Sequence, residues 1–184
     1  MRTNKKIVYL GHLQLADADF SYLHEAQKLV DMNYYMETTP IYMNGPALSI
    51  NKLYPKSGIF KAKDVYEELK QYEGFVDLDK CYVINTTGRF WVLKSFWFHF
   101  ILLFRLLYDK INVLHIAWPL NVYQFILYFL RKRMVLTVHD PFPHSYSESF
   151  IFNLIRKVGF ALTSNFVILN NNQKADFIKY YHLE

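Results

Sequence analysis

Five short stretches of this chain are apolar or nearly so, and each meets a polar, Gly or Pro residue within two positions of its end. They are residues 7–10 (Ile-Val-Tyr-Leu), 81–84 (Cys-Tyr-Val-Ile), 113–117, Met134–Val138 and 166–169. Runs of four or five residues are too short for helices. Strands apolar at every position are buried on both faces, and that is the signature of a parallel sheet. A sixth, alternating stretch at residues 36–43 adds a further strand. Between them lie longer segments with helical periodicity. The order strand–helix, repeated about six times, predicts an α/β domain of the Rossmann-like kind: a doubly wound parallel sheet with helices on both faces.

The helices are expected from about Phe20 to Met32, 64–72, 90–108, 120–130, 147–162 and 173–181. Asp17 or Asp19 can cap the first, Asp64 the second, and the run Asn170–Asn172 the last. Residues 44–63 contain Gly45, Pro46, Pro55 and Gly58 and read as a long excursion. The 184 residues suit one domain spanning 1–184. With 52% hydrophobic and 20% charged residues, a disordered chain is excluded. The lone Cys81 provides neither an internal disulfide nor a cysteine-based zinc site.

Charge is unevenly spread. Residues 1–92 carry 11 Lys/Arg and 11 Asp/Glu, whereas residues 93–184 carry 10 against 5, so the second half holds the whole net charge of +5. A basic, aromatic half fits an anionic partner such as a lipid head group or a phosphate-bearing ligand. No basic run exceeds Arg131-Lys132-Arg133, which argues against nucleic acid. The N-terminus has Arg2, Lys5 and Lys6 before an apolar run of only four residues, too short for a signal peptide, so a cytoplasmic location is expected. Residues 90–108 form an apolar helix whose only polar members, Lys94, Ser95, His99 and Arg105, share one stripe. The leading expectation is a crossover helix between sheet and solvent. A helix lying on the inner face of a membrane is the second, and a span the third, because strands flank the segment on both sides.

In an open parallel sheet, ligands bind beyond the C-terminal strand ends. The residues at those positions are Gly11-His12, Asn85-Thr86, Trp118, His139-Asp140 and Asn170–Asn172. His139 and Asp140 are followed by Pro141 and Pro143, which stiffen the exit from the strand. An imidazole there can donate to a phosphate or a sugar hydroxyl, and Asp140 can accept from hydroxyls. The alternative is structural: His139 ends the strand and Asp140 nucleates the turn. His115, His139 and His144 have no metal-ligand spacing, and no metal is expected. No G-x-G-x-x-G, G-x-S-x-G or Walker A pattern occurs in the sequence.

The segment Val135-Leu136-Thr137-Val138-His139-Asp140-Pro141-Phe142-Pro143-His144 resembles a strand and loop of GT-B glycosyltransferases of the family-4-like type. Residues 113–119, with His115, Trp118 and Pro119, are similar to the preceding family strand; residues 6–11 to its opening strand; residues 166–174 to the segment that closes the N-terminal domain. The resemblance implies the N-terminal, acceptor-side half of a GT-B fold and a retaining transfer of sugar from a nucleotide-sugar donor to a glycan or lipid-linked acceptor. No other cofactor is implied. His139 would be the catalytic group, stabilising leaving charge, with Gly11, His12, Trp118, Asp140 and Asn170 binding substrate. Gly11 would let the first loop approach the ligand.

The family's donor site lies in a second Rossmann-like domain that presents two glutamates eight residues apart, and no Glu pair here has that spacing. The family's Gly-rich turn after the first strand is reduced to Gly11. The expectation is therefore half an enzyme, inactive alone, completed by a C-terminal domain or a separate donor-binding subunit. The alternatives are a non-catalytic, membrane-recruiting subunit of a split transferase and an orphan Rossmann-like ligand binder.

Overall fold

In the computed structural model, which describes residues 4–40, 50, 52–117, 121–139, 142 and 150–183, the apolar runs form one sheet. Its strands are β1 (Lys6–His12), β2 (Asp31–Thr38), β3 (Gly58–Lys61), β4 (Cys81–Asn85), β5 (Val113–Ile116), β6 (Met134–Val138) and β7 (Phe166–Ile168). The spatial order is β3-β4-β2-β1-β5-β6-β7. All neighbours are parallel except β3, which runs antiparallel to β4 at the edge. The chain is thus α/β, with a seven-stranded, mostly parallel mixed sheet, consistent with a Rossmann-like plan.

Two hydrophobic clusters show how the sheet is covered. On one side, Tyr9, Tyr34, Met36 and Val83 pack against Phe20, Leu23 and Ala26 of α1 (Ala16–Leu29) and Ala62 of α2 (Ala62–Val65). On the other, Val8, Leu10, Ile84, Leu114 and Leu136 meet α3 (Trp91–Tyr108), a 3-10 helix (Val122–Arg133) and α4 (Phe150–Ala161), through Leu102, Leu106, Leu127 and Phe160. Phe177 of α5 (Lys174–Tyr181) joins this second cluster against Phe160 and Phe166. Fully burying a leucine such as Leu102 contributes roughly 2 kcal/mol, so the sheet is held mainly by these two layers.

The chain winds outward from β1 through β2 to β4, and α3 then carries it back to β5 on the opposite side of β1. The strand order therefore reverses between β1 and β5. At that point Ala117 N–H donates to Leu10 O at 2.8 Å, extending the pairing by one residue past β5.

Several elements differ from the sequence reading. Strand β3 falls inside the Gly/Pro-rich excursion. It is four residues long and takes all its pairing from β4, so local sequence carries no period for it. Helix α1 begins at Ala16, four residues before the expected start at Phe20, and Asp17 and Asp19 lie in its first turn instead of capping it. It ends at Leu29, and Met32 already belongs to β2. Residues 64–72 are not one helix capped by Asp64. Tyr66 is extended and separates α2 from a 3-10 helix at Glu67–Tyr72. Residues 122–133 form 3-10 turns, whose apolar spacing a helix reading cannot distinguish. Asn170 caps a 3-10 turn at Asn171–Gln173 ahead of α5, accepting from Asn172 N–H at 3.0 Å.

Candidate functional site

Because the strands are parallel, their C-terminal ends share one edge. Near the strand reversal this edge carries a buried polar cluster centred on Glu37, the penultimate residue of β2. Glu37 is in register with His12 of β1 and Ile84 of β4. His99 of α3 reaches Glu37 Oε1 from Nε2 at 2.5 Å, and its Nδ1 lies 2.8 Å from Ser95 O. A carbonyl can only accept, so Nδ1 carries a proton. Gln124 Nε2 also donates to Glu37 Oε1 at 3.0 Å, and Asn121 Nδ2 lies 3.4 Å from Oε2. The orientation of the Gln124 amide is fixed by its own oxygen, which accepts from Asn121 N–H at 3.3 Å. His12 Nδ1 stands 4.0 Å from Glu37 Oε2.

Burial alone would raise the Glu37 pKa. The histidines and the Gln124 amide outweigh it and hold the carboxyl below its ordinary value. Burial pushes His12 the other way for a base, below the usual imidazole range. Ser95 Oγ donates to Ser95's own helix at Trp91 O and lies 3.1 Å from Thr86 Oγ1, tying the start of α3 to the end of β4. The cluster thus locks α3 and the 3-10 helix onto the sheet edge.

Among the described residues, the expected site residues are distributed along the same edge but are not gathered at one point. His12 belongs to the Glu37 cluster, on the α3 side. Gly11, the preceding residue of β1, faces the other side. A Cβ there would meet Asp19 Oδ2 at 2.6 Å and Tyr34 Oη at 3.0 Å, so the room Gly11 leaves is filled by protein. Asp19 is buried and accepts from Tyr9 Oη at 2.8 Å and Tyr34 Oη at 2.6 Å. His139 immediately follows β6 and is partly buried. Its Nε2 donates to Ala117 O at 3.0 Å, which bridges the ends of β6 and β5. It stands close enough to His115 to help depress that residue's pKa, to about 4, chiefly through burial. Asn170 lies beyond β7, exposed, with its side chain engaged in its turn. Trp118 and Asp140 lie outside the described residues, as do Pro119, Pro141, Pro143 and His144. Phe142 is partly buried, edge-on to Tyr180 at 5.6 Å.

Sequence reasoning missed Glu37, Asn121 and Gln124 and placed His99 only on a helix stripe. One signal was available: a glutamate inside an otherwise apolar strand segment, Tyr34-Tyr35-Met36-Glu37. Among the described residues, no group of three or more His, Cys, Asp or Glu side chains is arranged to hold a metal ion. Cys81 is buried, and burial pushes its thiol up to about 12, so it is not a reactive nucleophile. In comparisons with known proteins, no family model, curated protein or solved structure matches the chain.

Proposed function

We propose that this chain is the acceptor-side domain of a retaining GT-B-like glycosyltransferase, moving sugar from a nucleotide-sugar donor to a glycan or lipid-linked acceptor in the cytoplasm. The observation that carries the reading is the position of His139. It follows the C-terminal end of the parallel strand β6 and is tied through Ala117 to the end of β5, one of the two strands between which the order reverses. The C-terminal strand ends beside such a reversal are where open α/β sheets bind ligands. In this reading His139 faces the reacting sugar or its phosphate and stabilises charge leaving with the nucleotide. The same reading gives Gly11, His12, Trp118, Asp140 and Asn170 to substrate binding, and the nucleotide to a second Rossmann-like unit or subunit.

Calorimetric titration tests the assignment. A panel of nucleotide sugars should bind this chain only in roughly the millimolar range, because about half of the crevice contacts are contributed by the other unit. No sugar transfer is expected from the chain alone. A micromolar dissociation constant for a nucleotide sugar would put the donor site in this domain and overturn the acceptor-side reading.

A further inference from the structure

The layer formed by α3, the 3-10 helix Val122–Arg133 and α4 is built the reverse of an ordinary surface layer. Helix α3 turns its polar Ser95 and His99 inward, to Thr86 and Glu37, and its aromatic side outward. Leu93, Trp97, Phe100 and Phe104 follow one another at spacings of four, three and four residues, which places them on one stripe. All four are exposed, Trp97 by 60% and Phe104 by 56%. Other elements of the same layer add exposed apolar side chains: Phe129 is 83% exposed, and Phe150 and Leu154 are also open. Monomeric proteins rarely leave so many large apolar side chains of one layer uncovered.

Charge identifies what covers it. The segments of this layer, residues 89–111, 122–133 and 150–162, carry nine Lys/Arg and a single acidic residue, Asp109. The layer on the opposite side of the sheet, residues 16–29 and 62–80, carries four Lys against nine Asp/Glu. Phe129 shares a groove with Arg131 and Lys132, so apolar and cationic groups are interleaved at close range. An apolar stripe bordered by cations matches the boundary of an anionic bilayer, where side chains enter the acyl region while Lys and Arg meet phosphates. A second copy of the same layer would bring like charges face to face. The partner unit of the proposed transferase would sit across the strand ends, so it would not cover this face either.

We infer that the outer face of α3, together with Phe129, Arg131 and Lys132, is a docking surface for an anionic lipid bilayer, on which the protein lies with its acidic layer away from the membrane. Helix α3 lies on the surface and does not span it, since Ser95, His99, Leu102 and Leu106 are committed to the sheet. The inference goes beyond the sugar-transfer reading and needs neither donor nor acceptor.

Vesicle sedimentation of the whole chain tests it. Vesicles of phosphatidylcholine with about one third phosphatidylglycerol should bind the protein at least roughly tenfold better than phosphatidylcholine alone, and raised salt should narrow the gap. Trp97→Ser with Phe104→Ser should weaken binding about tenfold or more while leaving the melting temperature nearly unchanged, because both side chains are exposed. Arg131→Gln with Lys132→Gln should cost about fivefold per residue on anionic vesicles and little on neutral ones. Equal sedimentation with and without phosphatidylglycerol would overturn the proposal, and so would unimpaired binding by the Trp97/Phe104 variant. A solution dimer that this variant dissolves, with no vesicle binding, would assign the face to a second copy. No sugar enters the assay, so its outcome is separate from that of the nucleotide-sugar titration.

Discussion

Glu37 Oε1 and His99 Nε2 lie 2.5 Å apart, from residues 62 positions apart in the chain, and each side chain is only 1% exposed. Nearly every polar group around Glu37 points a donor at it. Removing one partner of such a pair strands the other in the interior, which typically costs about 3–5 kcal/mol. Removing both and filling the space with apolar groups costs much less. Glu37→Leu and His99→Leu should therefore each lower the urea midpoint strongly, and the double variant should be more stable than the sum of the two losses predicts. Simple additivity of the two losses would show that the two residues do not act as a pair.

A pH dependence follows from His115. Its ring packs edge-on to Tyr9 at 4.9 Å, and its Nε2 contacts Thr137 Oγ1 at 2.7 Å. Burial, aided by His139, brings its pKa from the ordinary 6.5 to about 4. Between those values the unfolded chain binds a proton that the folded chain does not. The contribution is complete above pH 6.5 and is lost as pH falls toward 4, by up to about 3 kcal/mol at 1.36 kcal/mol per unit. Denaturant titrations across this window should show stability rising with pH. His115→Gln should flatten the slope by about one proton's share, with the rest due in part to His12, which is depressed in the same direction. An unchanged slope in His115→Gln would remove His115 as its source.

The strands that were legible in the sequence are those whose side chains are apolar on both faces. Met134–Val138 has the expected bounds, and β5 and β7 end one residue earlier than their apolar runs. Strand β3 was illegible because its partner is remote and it sits among Pro and Gly. Asp19 read as a cap because short-range patterns describe only short-range partners, whereas its hydrogen bonds come from Tyr9 and Tyr34. The stripe on α3 was visible as a stripe, but which way it faces depends on Glu37, which the helix meets only after folding. The buried cluster was hidden for the same reason. His99, Gln124 and Asn121 are unremarkable until β2 brings a carboxylate to them.

Gly11 separates a packing role from a binding role. A methyl group at this position would collide with the Asp19 carboxylate that joins Tyr9 and Tyr34. Gly11→Ala should therefore destabilise the fold by about 1–3 kcal/mol, as overpacking of a filled interior usually does. The loss should be visible as a lower melting temperature without any ligand present. If Gly11 instead serves close approach of a substrate, Ala would leave the melting temperature unchanged and weaken acceptor binding alone.

His139 gives the sharpest division between a strand-ending residue and a working one. In the free chain His139 donates to Ala117 O, and His139→Ala should cost about 1 kcal/mol of stability for that bond, its usual worth. In the transferase assembled with its donor-binding unit, the same substitution should reduce kcat by a larger factor than it raises KM. The reason is that a contact to the departing phosphate strengthens as charge develops, and a loss confined to the transition state appears in kcat. His139→Gln keeps a donor for Ala117 O but has no imidazole, so it should restore stability without restoring the rate. Recovery of full turnover by Gln would mean that His139 acts only by joining β6 to β5, and the site would then have to be sought elsewhere along the edge.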